Sequence, residues 1–332
     1  MARPRGPRWT TRLRHRAGET GSAVRAIPRR LGRWLQGGLV RVRKPGAPRV
    51  VPTHFAGNGS VALAYDVRGH GAPLVLIQGL GVGRWGWAPV ADHLARRFQV
   101  ITIDNRGIGA SDAPPGPYST RAMADDVLAV LDDAGVGSAS LVGTSLGGMV
   151  AQELALAHPD RVDKLVLVAT IPGGRLTAPM PLETARMLTW APLMASETRL
   201  QGFVEHTLGP ETVRRRTEVV ERLIAQKLAH PQSERAWRAQ ATAGVLFDPL
   251  GRQRRITQPT LILQGTADQV VNPDNAKLLA NLIPDARLQY FDGAGHLLYW
   301  DEPQRFVRVV TGFLTDRATP APAPHRAVRN AG

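Results

Sequence analysis

The stretch LVGTSLGGM, residues 141–149, joins an apolar run to the start of a helical pattern through a serine set among glycines. Strand composition ends near Gly143, and Ser145 stands where a strand would give way to a helix. Glycine accepts positive φ and lets backbone segments approach closely. Gly143 and Gly147 therefore suit a sharp bend with Ser145 at its tip. The chain has 34 glycines and nine serines in 332 residues, so Gly-x-Ser-x-Gly arises by chance in roughly one such chain in ten. What surrounds the pattern decides between a plain turn residue and a serine raised above a sheet.

Working outward, short apolar runs alternate with helical patterns from about residue 50. SVALAYDVRG, APLVLIQGLG, FQVITIDNRG, ASLVGTS, VDKLVLVAT, PTLILQGTAD and ARLQYFDGAG have strand composition. Several are apolar throughout, which fits strands buried on both faces. GWAPVADHLARR, RAMADDVLAVLDDAG, LGGMVAQELALAHP, DNAKLLANLI and EPQRFVRVVTGFL have helical spacing. Such alternation means crossover units and a mostly parallel sheet flanked by helices. It breaks once, at about 171–247, where helical stretches with scattered Met, Leu and Trp suggest an insertion.

Open parallel sheets bind ligands beyond the carboxyl ends of their strands. Three polar residues fall at such ends: Ser145, Asp268 after TLILQG, and His296 after LQYFDGAG. A serine hydroxyl needs a base to become a nucleophile. Histidine can take that proton and return it to a leaving group, and a carboxylate orients the imidazole. The helix after Ser145 directs its positive end at a developing oxyanion. Asp268 could instead cap the helix DNAKLLANLI, but Asp274 is the better candidate for that cap.

The motifs GTSLGG, GTAD, GAGH and DNRGIGASD together resemble the α/β-hydrolase family across about residues 50–316. RGIGASDAPPGPYST is similar to 3-oxoadipate enol-lactonases and related small-ester hydrolases. The resemblance implies an α/β fold with a mostly parallel twisted sheet and a helical cap at 171–247. It implies Ser145 as nucleophile, Asp268 as acid and His296 as base. The amides of Leu80 and Leu146 would form the oxyanion hole. One departure concerns the loop after the third family strand. Many members carry His-Gly there, whereas this chain has Gln78-Gly79, so a side chain that often braces the loop has changed. The loop is also not of the triple-glycine type associated with bulkier alcohol esters.

The expected activity is cofactor-independent hydrolysis of a small-molecule carboxylic ester or lactone. Serine at the bend separates the chain from dehalogenases and epoxide hydrolases of this fold, which use aspartate there. Rival readings are a C–C hydrolase, a cofactor-free peroxidase-like member, or a non-catalytic binding protein. Met187 and Trp190, with Met180 and Met194, are candidate pocket residues in the insertion. His206 and His230 are further candidates there. Arg106 in DNRG is expected to brace its turn.

Composition adds bounds. Without cysteine, disulfides and thiolate chemistry are excluded. Residues 1–49 carry a net +13 of the chain's +15, leaving a nearly neutral body for which nucleic-acid binding is not expected. This arm lacks the apolar core of a secretory signal. Arg29-Arg30 is followed by a stretch too polar for a twin-arginine signal. No run approaches the roughly 18 apolar residues of a membrane span. The arm reads as disordered, with contact to an anionic surface as its functional alternative. Residues 317–332 read as a Pro/Ala-rich disordered tail. A cytoplasmic location is expected.

Overall fold

The structure, a computed structural model, describes residues 51–190 and 196–316, with the side chains of 187–190, 196 and 197 outside that description. The basic arm and the Pro/Ala tail therefore lie outside the described residues.

Eight strands form one sheet: β1 (Thr53–Asn58), β2 (Val61–Arg68), β3 (Ala72–Ile77), β4 (Phe98–Ile103), β5 (Ala139–Thr144), β6 (Val162–Val168), β7 (Thr260–Gly265) and β8 (Ala286–Phe291). Their order is β1-β2-β4-β3-β5-β6-β7-β8. From β4 through β8 every pairing is parallel, while β1–β2 and β2–β4 are antiparallel.

The apolar runs explain the layers. Successive side chains of a strand face opposite sides. Val75, Ile77, Leu141 and Leu167 pack on one face with α2 (Thr120–Asp133), α3 (Leu146–Ala157) and α9 (Asp274–Leu282). Leu74, Leu76, Val142 and Val166 pack on the other with α1 (Ala91–Leu94), α10 (Leu298–Asp301) and α11 (Pro303–Thr315). Ser119 caps α2 by accepting from the Ala122 amide at 3.1 Å, and Gly135 follows that helix at φ +67.

Two local expectations change. GWAPVADHLARR begins inside a 3-10 turn, Arg84–Trp87, and then forms the four-residue α1, not one helix. Pro89 interrupts the run, because proline removes a backbone donor. β1 carried no strand signal. Its sequence THFAGN buries only Ala56 among six residues, so it has no apolar alternation to read.

Between β6 and β7 the chain forms α4 (Leu182–Trp190), α5 (Ser196–His206), α6 (Pro210–Arg215), α7 (Thr217–Ala229) and α8 (Glu234–Val245). Their outer faces carry pairs such as Arg186–Glu183, Arg214–Glu211 and Arg238–Glu234. Among the described residues no helix is long and apolar enough to cross a membrane.

Candidate active site

Ser145 is the single residue between the end of β5 and the start of α3, at φ 53 and ψ −120. A non-glycine residue in that region costs about 1–3 kcal/mol and persists only when its surroundings impose it. Here the Ser145 amide donates to Val168 O at 2.9 Å, and its carbonyl accepts from Gly148 N at 2.9 Å and Thr170 Oγ1 at 2.7 Å. The flanking glycines serve close approach. A Cβ on Gly143 would lie 2.3 Å from Gly147 O, and one on Gly147 would lie 2.2 Å from Ile77 O. No side chain fits at either place without moving backbone.

The amides of Leu80 and Leu146 donate to no acceptor among the described residues, and Leu146 opens α3. The loop carrying Leu80 is held from three sides. Asn105 Nδ2 donates to Gln78 O at 2.9 Å, Gly81 N donates to Gln240 Oε1 at 3.2 Å, and Tyr299 OH donates to Gln78 Oε1 at 3.0 Å. The departure at Gln78 thus has a structural answer: the buried amide braces the loop through Tyr299. Burial of that phenol raises its pKa well above the usual tyrosine range. Gln240 also donates to Arg106 O at 2.8 Å, linking α8 to the turn after β4. Arg106 braces that turn through two 2.6 Å contacts to Asp126.

Asp268 follows β7 with its carboxylate fully engaged. Oδ1 accepts from the Val270 and Val271 amides at 2.8 and 2.9 Å, and Oδ2 accepts from Gln264 Nε2 at 2.9 Å. His296 Nδ1 lies 2.9 Å from the same Oδ2. Ionised carboxylate is acceptor-only, so the proton belongs on Nδ1 and leaves Nε2 as the acceptor. Asp268 and His296 are both buried, whereas Ser145 is half-buried. No hydrogen bond joins Ser145 to His296 among the described residues. Such contacts are commonly loose before substrate binds.

Asp274 does not cap α9. It lies in the first turn, with Pro273 in the capping position, and pairs with Lys277 at 3.3 Å. The side-chain acceptor at this helix end is Asn272, whose Oδ1 accepts from the Asp274 amide at 3.0 Å.

The insertion touches the loops that carry these residues. Leu297 N donates to Thr207 O at 2.9 Å. Asp301 Oδ2 accepts from Gly209 N at 3.0 Å and Gly295 N at 2.8 Å, tying the α5–α6 turn to the residue before His296. Burial raises the Asp301 pKa. His206 Nε2 lies 2.8 Å from Thr184 Oγ1, which also bonds to the carbonyl of Gln269, next to Asp268. Burial is the main cause that lowers the His206 pKa. His230 is exposed and stacks on Trp85 at 6.0 Å. Sequence reading passed over Gln264, Gln240, Asp301 and Lys227, which carry no motif. The side chains of Met187 and Trp190, and all of Met194, lie outside the described residues. Met180 is exposed, unlike a pocket ceiling. Among the described residues no group of three or more His, Asp or Glu could hold a metal ion.

Comparison with known proteins adds context. The family described as alpha/beta hydrolase fold matches residues 72–303. A chain from Azorhizobium caulinodans that carries the name carbamate hydrolase RutD is 33% identical over 261 residues, 78% of this chain and 97% of that one. A 2-hydroxy-6-oxononadienedioate/2-hydroxy-6-oxononatrienedioate hydrolase from Cupriavidus pinatubonensis is 29% identical, covering 84% and 99%. The solved structure of Est816, described as an N-acyl homoserine lactone degrading enzyme, superposes with a TM-score of 0.69 at 31% identity, covering 78% and 100%.

Proposed function

The chain belongs to the α/β-hydrolase fold family, and on that premise we propose that it is a serine hydrolase cleaving a carboxylic ester or lactone. The observation that carries this reading is the 2.9 Å Asp268–His296 contact at the strand ends of a sheet whose β5 leads into a serine of strained backbone conformation. Ser145 Oγ attacks the substrate carbonyl carbon while His296 Nε2 takes its proton. The amides of Leu80 and Leu146 receive the oxyanion. As the tetrahedral intermediate collapses, His296 protonates the departing alkoxide. Water, deprotonated by the same nitrogen, then attacks the acyl-enzyme, and as the bond to Ser145 Oγ breaks the imidazolium returns its proton to Oγ and the acid is released. Asp268 keeps the imidazole in the required tautomer and stabilises its cation. The insertion acts as a cap that sets acyl selectivity, with Met187 and Trp190 as its pocket residues.

Lactone and ester cleavage share these steps, and the likeness to a lactone-degrading structure supports the assignment. Hydrolysis of a carbon–carbon bond is the second reading, favoured by the dienedioate hydrolase relative. Rates on p-nitrophenyl esters, simple lactones and a vinylogous 1,5-diketone acid separate the two. Ser145→Ala lowers turnover by about 10⁴-fold or more, and a fluorophosphonate labels Ser145 alone. Labelling at another serine, or full activity in the alanine variant, overturns the mechanism.

A further inference from the structure

Lys227 lies in the last turn of α7 and is one of four lysines in a chain that otherwise draws its cations from arginine. A lysine in that position ordinarily runs its stem along the protein and keeps the ammonium in water, where it already complements the negative helix end. Here the side chain is half-buried. Nζ lies 3.4 Å from the Gly81 carbonyl and 5.4 Å from the centre of the Phe203 ring. No carboxylate among the described residues pairs with it. The other described lysines are differently placed. Lys164 donates to the carbonyls of Phe313, Leu314 and Asp316 at the end of α11. Lys277 pairs with Asp274 at 3.3 Å. Desolvation, with no opposing charge, lowers the Lys227 pKa to about 8, so the ammonium stays mostly charged at neutral pH. A cation drawn out of water without a counter-ion is costly, and an incoming anion offsets that cost.

The position matters as much as the charge. Gly81 directly follows Leu80. Two residues of backbone span at most about 7 Å, so Nζ lies within about 11 Å of the Leu80 amide. A Cβ on Gly81 would be 3.3 Å from the Trp237 ring and 3.4 Å from Gln232 Oε1, so α8 and the turn before it also border this loop. Farther along the loop the Trp85 indole N–H is buried with no acceptor, its ring stacked on His230 just beyond Lys227. Two under-satisfied donors, Lys227 Nζ with one long carbonyl contact and Trp85 Nε1 with none, thus adjoin the strand-end loop that would hold a scissile carbonyl.

We propose that Lys227 is a specificity residue that receives a free carboxylate on the substrate, so that this hydrolase prefers anionic esters or lactones over neutral ones. The inference rests on the serine-hydrolase reading above and narrows its substrate class. Half-esters of short dicarboxylic acids, which carry a free carboxylate a few carbons from the scissile carbonyl, are the substrate class to which this placement of Nζ points.

The test compares kcat/KM for mono-p-nitrophenyl glutarate with neutral p-nitrophenyl pentanoate, and 4-acetoxybenzoate with its methyl ester. These pairs place the charge on the acyl side and on the leaving-group side respectively. In wild type the anionic-to-neutral ratio exceeds one for at least one pair. Lys227→Met lowers that ratio tenfold or more, and Lys227→Arg recovers much of it. A ratio unchanged across the three proteins for both pairs overturns the proposal. Release of no product from any ester defeats the hydrolase reading instead. The lysine is then judged separately in the Ser145→Ala variant, reductively methylated with ¹³C-formaldehyde and assigned through Lys227→Arg. Monomethyl glutarate shifts the Lys227 resonance if the site binds carboxylate. A resonance that does not move overturns the proposal.

Discussion

The strand ends and the helical insertion meet over the same loops, yet they satisfy their polar groups in different ways. At the strand ends the Asp268 carboxylate takes four partners, and the loop of Leu80 is held by Asn105, Gln240 and Tyr299. The insertion spends most of its charges on exposed pairs such as Arg214–Glu211 and Arg238–Glu234. Exposed pairs of this kind contribute about 0–1 kcal/mol. Lys227, which reaches back toward the body, has a single 3.4 Å carbonyl contact. A fully bonded group is fixed before substrate arrives, and that is what transition-state stabilisation requires. A group short of partners is available to a ligand. Under the proposed function the contrast would put the general chemistry at the strand ends and the choice of substrate in the insertion.

The contrast breaks first at Asp268. Asp268→Asn keeps the shape but favours the wrong imidazole tautomer, so kcat falls about 10⁴-fold with melting behaviour close to wild type. Near-normal turnover in that variant would show that His296 needs no carboxylate, and the fully bonded centre would lose its meaning.

Asp301 probes the seam between the two regions. Asp301→Ala leaves the buried Gly209 and Gly295 amides without an acceptor, each worth about 1–3 kcal/mol. Urea unfolding should show a loss of that order. Turnover should fall about tenfold as the His296 loop loosens, since small misplacements of catalytic groups are costly. A stability loss with unchanged kcat would mean that the insertion is fastened to the body without positioning His296.

Lys227 sharpens the comparison through pH. With its pKa lowered from 10.5 to about 8, the folded protein binds fewer protons than the unfolded chain between these values. Wild-type stability therefore rises with pH across that window through this group. Lys227→Met lacks the contribution, so its urea midpoint should drop relative to wild type between pH 7.5 and 10. A pH-independent difference would show an ammonium as well solvated folded as unfolded.

The smallest effect is expected at the basic arm. Deleting residues 1–48 should change kcat/KM on a soluble ester by less than about twofold, roughly 0.4 kcal/mol. Binding to anionic vesicles, if the arm provides it, should vanish with the deletion and weaken with salt in the full chain. Equal sedimentation of both proteins at low salt removes the surface-binding reading.

The sheet was legible because parallel strands buried on both faces need continuous apolar runs, and β3 through β7 have them. Ser145 and Asp268 were legible as candidates because each follows such a run, and His296 because it trails the edge strand β8, whose alternating pattern is weaker. β1 was silent, since an exposed edge strand has no buried face to pattern. Lys227, Gln240 and Asp301 were silent for a different reason. Their partners Gly81, Arg106 and Gly209 are 146, 134 and 92 positions away in the chain. Sequence alone determined the order of strands and helices and the residue types at the strand ends, because both follow from local periodicity. Only the tertiary structure decided which insertion side chains meet the strand-end loops, because helices that carry no β-ladder register can pack in many ways until the body they lie against is formed.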